Sequence, residues 1–129
     1  GVAVPAGSLL LFSGITNPDR VIAVNPTSGA VLATLVLGAN YDLTAGVYDP
    51  ASGHLFVNNR TTNPNQLLEI DPANATLLGS FALPFNATEA GLAIEPASGH
   101  LWYGSDQSNA LVEYNLTSHS VVRQLDLDT

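Results

Sequence analysis

The chain contains no cysteine, no methionine and no lysine among its 129 residues, and only 11% of them are charged. Without cysteine there are no disulfide staples, thiolate zinc sites or cysteine nucleophiles, although the compartment is not fixed by that absence. Three arginines face eleven acidic residues, giving a net charge of −8, so nucleic acid and anionic membrane are disfavoured as partners, both being held by clustered Lys and Arg. A soluble domain usually carries about 25% charged residues. With far fewer than that and a positive mean hydropathy, part of the outside is expected either to pack against something or to carry glycans. Also missing is any apolar run near the ~20 residues that cross a bilayer, so no transmembrane segment is expected. The opening GVAVPAG lacks a charged leader followed by an apolar stretch; a signal for secretion would already be removed or lie upstream. No segment sustains an apolar 3.6-residue period over the roughly 10 residues a helix needs.

What the chain does have is repetition. Residues 48–57 read YDPASGHLFV and residues 94–103 read IEPASGHLWY, 46 positions apart, and the same offset lays Asn17-Pro18 on Asn63-Pro64, Pro26 on Pro72 and Gly7 on Gly53. Four short apolar patterns recur in each period. The first runs over Gly1–Val4, Gly46–Tyr48 and Gly91–Ile94, and the second over Leu9–Phe12, Leu55–Val57 and Leu101–Tyr103. The third comprises Val21–Val24, Leu67–Ile70 and Leu111–Tyr114; the fourth comprises Val31–Leu37, Leu77–Leu83 and Val121–Leu127. The connectors make these strands. Asn25-Pro-Thr-Ser-Gly29, Asp49-Pro-Ala-Ser-Gly53 and Glu95-Pro-Ala-Ser-Gly99 each place an acceptor side chain first, proline second and glycine last, where φ can be positive. Asp71-Pro-Ala-Asn-Ala75 ends on alanine, so Asn74 is expected to take the left-handed conformation there.

Twelve strands in three four-stranded antiparallel units of about 46 residues match the size of β-propeller blades, at approximately 1–43, 44–89 and 90–129 of a single repeat domain. The first two strands of each unit are apolar almost without alternation, as strands packed on both faces are. One unit cannot bury both its faces, so each must serve as the wall for the next. Val21-Ile22-Ala23-Val24 through Val31–Leu35, the opening Gly1–Val4 and Phe56-Val57-Asn58-Asn59 resemble the YVTN-type propeller repeats of surface-layer and other secreted proteins. That resemblance implies an extracellular, surface-associated and mostly non-catalytic role.

Propellers close with about four to eight blades, so three describe an incomplete arc whose end faces are bare apolar sheet. A second copy, further blades of a longer chain, or head-to-tail stacking would cover them. The outer strands point the same way: 21–41 and 72–88 contain no charged residue, where a soluble sheet edge normally carries charge. Val31, Leu35, Leu37, Leu77, Phe81 and Leu83 are therefore expected to form an assembly edge. Glycan shielding is the competing explanation, since Asn59, Asn74, Asn86 and Asn115 each begin an acceptor triplet.

Residues with catalytic chemistry are few. Asp49, Asp71 and Glu95 hold the first position of turns and are read as caps. His54 and His100 are equivalent and could approach one another; a metal between them would need Asp42, Glu89 or Asp106 as a third ligand, and simple repetition is the plainer account. The loops Asn17-Pro18-Asp19 and Asn63-Pro64-Asn65 are oxygen-rich enough for a weak calcium site but lack spaced carboxylates. No nucleophile elbow, Ser-His-Asp order or phosphate-binding glycine loop occurs. The reading preferred is a secreted structural or adhesive protein that self-associates into a ring, fibre or lattice, with no catalytic, cofactor or metal residues. The alternatives are a carbohydrate- or ligand-binding propeller using Asn17, Asn63 and Tyr41, and a hydrolase or lyase with Asp42 and Glu89 as its acids.

Overall fold

The computed structural model describes residues 4–14, 18–38 and 40–127. They form eleven strands and no helix, so no helix is long and apolar enough to cross a membrane. The first sheet contains β1 (Leu9–Ser13), β2 (Arg20–Val24) and β3 (Val31–Val36). The second contains β4 (Leu43–Asp49), β5 (His54–Asn59), β6 (Gln66–Asp71) and β7 (Thr76–Ala82). In the third are β8 (Ala90–Ile94), β9 (Leu101–Ser105), β10 (Ser108–Asn115) and β11 (Ser120–Asp126). Each sheet is an antiparallel meander in chain order. The strand expected at Gly1–Val4 falls mostly outside the described residues, and Val4 itself is not in a strand.

The five-residue connectors act as caps. The carboxylate of Asp49 accepts from the Ala51 and Ser52 amides, both at 3.1 Å, and the Asn25 side chain accepts from Thr27 and Ser28 at 2.8 and 3.1 Å. Gly29, Gly53 and Gly99 follow with φ of +73°, +76° and +71°. The Asp71 connector corrects the expectation at Asn74: Ala75 is the left-handed residue, at φ +58°. The fifth position of the frame sets the conformation regardless of the residue there, and Asn74 instead accepts from the Thr76 amide at 3.0 Å. His119, fifth in Asn115-Leu-Thr-Ser-His119, obeys the same demand at φ +53°.

Two apolar cores lie between the sheets. In one, Val21, Leu35 and Leu37 of the first sheet region meet Leu55, Val57, Leu68 and Ile70 of the second. In the other, Phe56, Leu67 and Leu83 of the second meet Leu101, Tyr103, Val112 and Tyr114 of the third. Successive residues of a strand point to opposite faces, so the buried run Leu55-Phe56-Val57 feeds both cores at once. Burial of each such side chain stabilises by about 1.5–3 kcal/mol. The inner strands meet side by side: β4 lies against β1 and β8, and the Phe12 ring covers Gly46, which has no Cβ to hold it off.

Alternation also corrects the assembly edge. Leu35, Leu37 and Leu83 are buried in the cores, and the half-buried Phe81 stacks on His119 with ring centroids 3.8 Å apart. Only Val31 and Leu77 of that set are exposed. The absence of charge in these stretches reflects inward-facing residues as much as an unguarded edge.

Candidate functional site

The two ends of the strands carry different chemistry. At one end, where β4 begins and β5 finishes, Arg60 donates from Nε to Asp42 Oδ2 at 2.5 Å and from Nη1 to the Thr88 carbonyl at 3.3 Å. The Asp42 carboxylate holds the guanidinium pKa above its ordinary value. Asp106 Oδ1 accepts from the Thr88 and Glu89 amides at 2.9 and 3.0 Å. Asp42, Arg60 and Glu89 line a cleft of about 330 Å³ together with Phe12, Ser13 and Thr44. One fixed guanidinium among carboxylates beside an aromatic ring suits hydroxyl-rich ligands.

Beneath this end lie buried polar groups. Asn65 Nδ2 donates to the Ala87 carbonyl at 2.9 Å, and its backbone N–H donates to Asn86 Oδ1 at 2.9 Å. Asp19, its counterpart 46 residues earlier, is equally buried, with an Oδ2 that has no hydrogen-bond partner among the described residues. Burial pushes its pKa up, a backbone N–H of Tyr41 works against this, and the Asp42 charge adds to the rise.

At the opposite end sit the histidines, each engaged by a glutamate. His54 Nδ1 pairs with Glu69 Oε1 and His100 Nδ1 with Glu113 Oε1, both at 2.7 Å and each within its own sheet. His119 of the third sheet also faces Glu69 of the second, at 3.8 Å. Asp42, Glu89 and Asp106 lie at the other end of strands about 20 Å long, too far to complete a histidine metal site. No group of three or more His, Asp or Glu side chains suited to a metal occurs among the described residues.

The flanks carry a third kind of surface. The row Ala93, Trp102, Glu113 and Arg123 crosses the outward face of the third sheet, as do Gly91, Gly104, Leu111 and Leu125 beside it. Arg123 donates to Glu113 Oε2 at 2.6 Å and lies 5.3 Å from the centroid of the Trp102 ring. The other outward face, on the first sheet, presents Leu9, Leu11, Ile22 and Val24 in cross-strand register. Leu9, Leu11, Ile22, Val24, Trp102, Leu111 and Leu125 each have a buried counterpart elsewhere in the repeat. Leu9 is 57% exposed while Leu55 and Leu101 are at 0%; Leu127 is 43% exposed while Leu37 and Leu83 are at 2%.

No protein-family model matches the chain, and no curated protein matches it. Several solved structures superpose on it. One is a protein of unknown function from Bacteroides caccae, 23% identical, with a TM-score of 0.72 over 96% of this chain and 44% of its own. Another, from Bacteroides uniformis, is provisionally named a 6-phosphogluconolactonase; it is 19% identical, with a TM-score of 0.55 over 99% of this chain and 43% of its own. The likeness is one of fold alone. This chain spans less than half the length of either structure.

Of the residues singled out in the sequence, Asn74 and Asn115 lie in exposed or half-exposed connectors, and each accepts an amide within its own turn. Asn86 donates to Asn63 Oδ1 at 2.9 Å. Asn59 is buried, its Oδ1 accepting from the Asp42 and Thr61 amides at 3.0 and 3.2 Å, which leaves no room for a glycan on the folded chain. Tyr41 packs against the first core rather than standing clear as a loop residue, and Asn17 lies outside the described residues. Sequence reasoning missed Arg60, Glu69 and Glu113. The repeat held the signal for the glutamates: each follows an equivalent histidine and lies one strand over.

Proposed function

We propose that the chain is a three-blade arc of a β-propeller whose biochemical role is association, carried out by its open end faces in a secreted, surface-associated structural or adhesive protein. The observation that carries this reading is the contrast between equivalent positions: residues sealed between the sheets recur, open to solvent, on the two flanks. Exposed aliphatic surface of this kind is stable only when something covers it. The low charge and the resemblance to surface-layer repeats support a location outside the cell, where self-assembly is a function in itself. Sedimentation velocity of the purified chain across a concentration series tests the proposal. Assemblies of two or more copies are expected; a folded monomer persisting at high micromolar concentration would overturn it.

A second reading rests on the Arg60 cleft. Its mixture of one guanidinium, carboxylates and the Phe12 ring fits a carbohydrate or other polyhydroxylated ligand, and the relative named as a lactonase raises hydrolysis, with Asp42 and Glu89 as acids. Asp42 is already committed to Arg60, so the pair lacks a second uncommitted acid beside Glu89. Binding without turnover is therefore favoured over catalysis within this second reading. Calorimetry against a panel of sugars, repeated with Arg60→Ala, distinguishes it: heat that vanishes in the variant supports the cleft, and equal heat in both dismisses it.

A further inference from the structure

The two flanks are unlike surfaces, and their chemistry matches the two sides of a junction already present inside the chain. Between the second and third sheets, the second contributes Phe56, Leu67 and Leu83, and the third contributes Leu101, Tyr103, Val112 and Tyr114. Trp102, Leu111 and Leu127 occupy the positions of Phe56, Leu67 and Leu83 on the next unit, and their face is open. Leu9, Leu11, Ile22 and Val24 stand where Leu101, Tyr103, Val112 and Tyr114 do, and their face is open too. One flank thus repeats the left half of a buried junction and the other repeats the right half.

We infer that two copies of this chain join head to tail, the Leu9, Leu11, Ile22 and Val24 face of one seated on the Ala93, Trp102 and Leu111 face of the next. This deepens the association reading above and depends on it. The fit has a physical basis. Gly91 and Gly104 carry no side chain beside Trp102, leaving a depression of about 250 Å³ on that face, into which aliphatic groups can pack. At the internal junction the same positions hold Ala45 and Asn58. The head face contributes no formal charge of its own at these positions, so nothing repels the Glu113 carboxylate, which already has His100 and Arg123 as partners. An isologous pairing of two head faces would bury aliphatic surface but leave both Trp102 faces open. The heterologous contact covers both kinds of face, and two such contacts close a ring of six sheets.

The sequence supplies its own probes. Trp102 is the only tryptophan, and the absence of cysteine lets single thiols be introduced without background. Singly substituted Leu11→Cys and Leu111→Cys chains, mixed and treated with a short thiol-reactive crosslinker, are expected to yield mainly the mixed dimer, while Trp102 emission shifts to the blue as concentration rises. Leu11→Asp should weaken association on the order of 100-fold with the circular dichroism unchanged, since the position is open in the isolated chain. Leu78→Asp, on the exposed outer strand β7, should leave association as it was. Self-crosslinking of Leu11→Cys alone, or loss of association in Leu78→Asp but not Leu11→Asp, would overturn the head-to-tail contact while leaving self-association intact. A chain monomeric throughout removes both proposals, and points to further blades of a longer protein as the natural cover.

Discussion

Asp19 is a carboxylate where the repeat elsewhere places an amide, and the consequences can be worked through atom by atom. Asn65 uses its Nδ2 to satisfy the Ala87 carbonyl; the Asp19 carboxylate has no proton to offer the equivalent Tyr41 carbonyl, and its buried Oδ2 has no partner among the described residues. Its folded pKa is raised from 3.8, chiefly by burial, so its contribution to stability is fully present below that value and is lost as pH rises through the folded one. At neutral pH the group is a liability. Asp19→Asn should therefore stabilise the chain by about 1–2 kcal/mol at pH 7 and by much less at pH 3, read from urea unfolding at the two pH values; equal effects at both would refute the argument. Glu113 runs the other way. His100 and then Arg123 hold its carboxyl below the ordinary 4.5, so the stability it contributes is present above that value and is lost as pH falls through the lower folded pKa. Glu113→Gln should be less stable than the parent at pH 7 and should show a shallower loss of stability on acidification below about pH 4.5.

Strands were legible in the sequence because the connectors announce them: a side-chain acceptor, proline, and a fifth residue that must accept positive φ. The frame holds at Gly29, Gly53 and Gly99, and at Ala75 too, where position in the frame overrides the local propensity of Asn74. Facing was less legible. In β3 and the residue after it, the period-2 alternation sends Ala33, Leu35 and Leu37 inward, but a run of unbroken apolar residues conceals it, and the bulge between Ala23 and Val24 shifts the pairing beside Val31. The Arg60 cleft was invisible in outline, since Asp42, Arg60 and Glu89 come from strand ends of two sheets that only the packing of those sheets brings together. Phe12 of β1 covers the bare Cα of Gly46 in β4, so the two strands approach as closely as glycine permits. Gly46→Ala keeps an ordinary backbone conformation yet must push the ring aside, at a cost of about 1–3 kcal/mol. Thermal unfolding that matches the parent would mean the two strands can part without penalty.

Taken as one object, the molecule sets two opposing forces against each other. Its flanks gain by being covered, while each copy brings a charge of −8 to the encounter with no lysine to offset it. Repulsion between such copies is long-ranged and is screened over about 10 Å at 0.1 M salt, whereas apolar contact is short-ranged and strengthened by excluded salts such as sulfate. Association should therefore tighten as salt is added, the reverse of what an interface held by ion pairs would do. Assembly and folding are linked, because a partner that binds only the folded chain raises the temperature at which it melts. For a dimer, a tenfold rise in concentration is worth about 1.4 kcal/mol per pair, or about 0.7 kcal/mol per chain, and moves the melting midpoint by about 2–4 °C. Differential scanning calorimetry across two decades of concentration, with and without sodium sulfate, reads both effects. A midpoint that ignores concentration at every salt level would show that the flanks stay bare in solution, and the low charge would then need an explanation other than contact between copies.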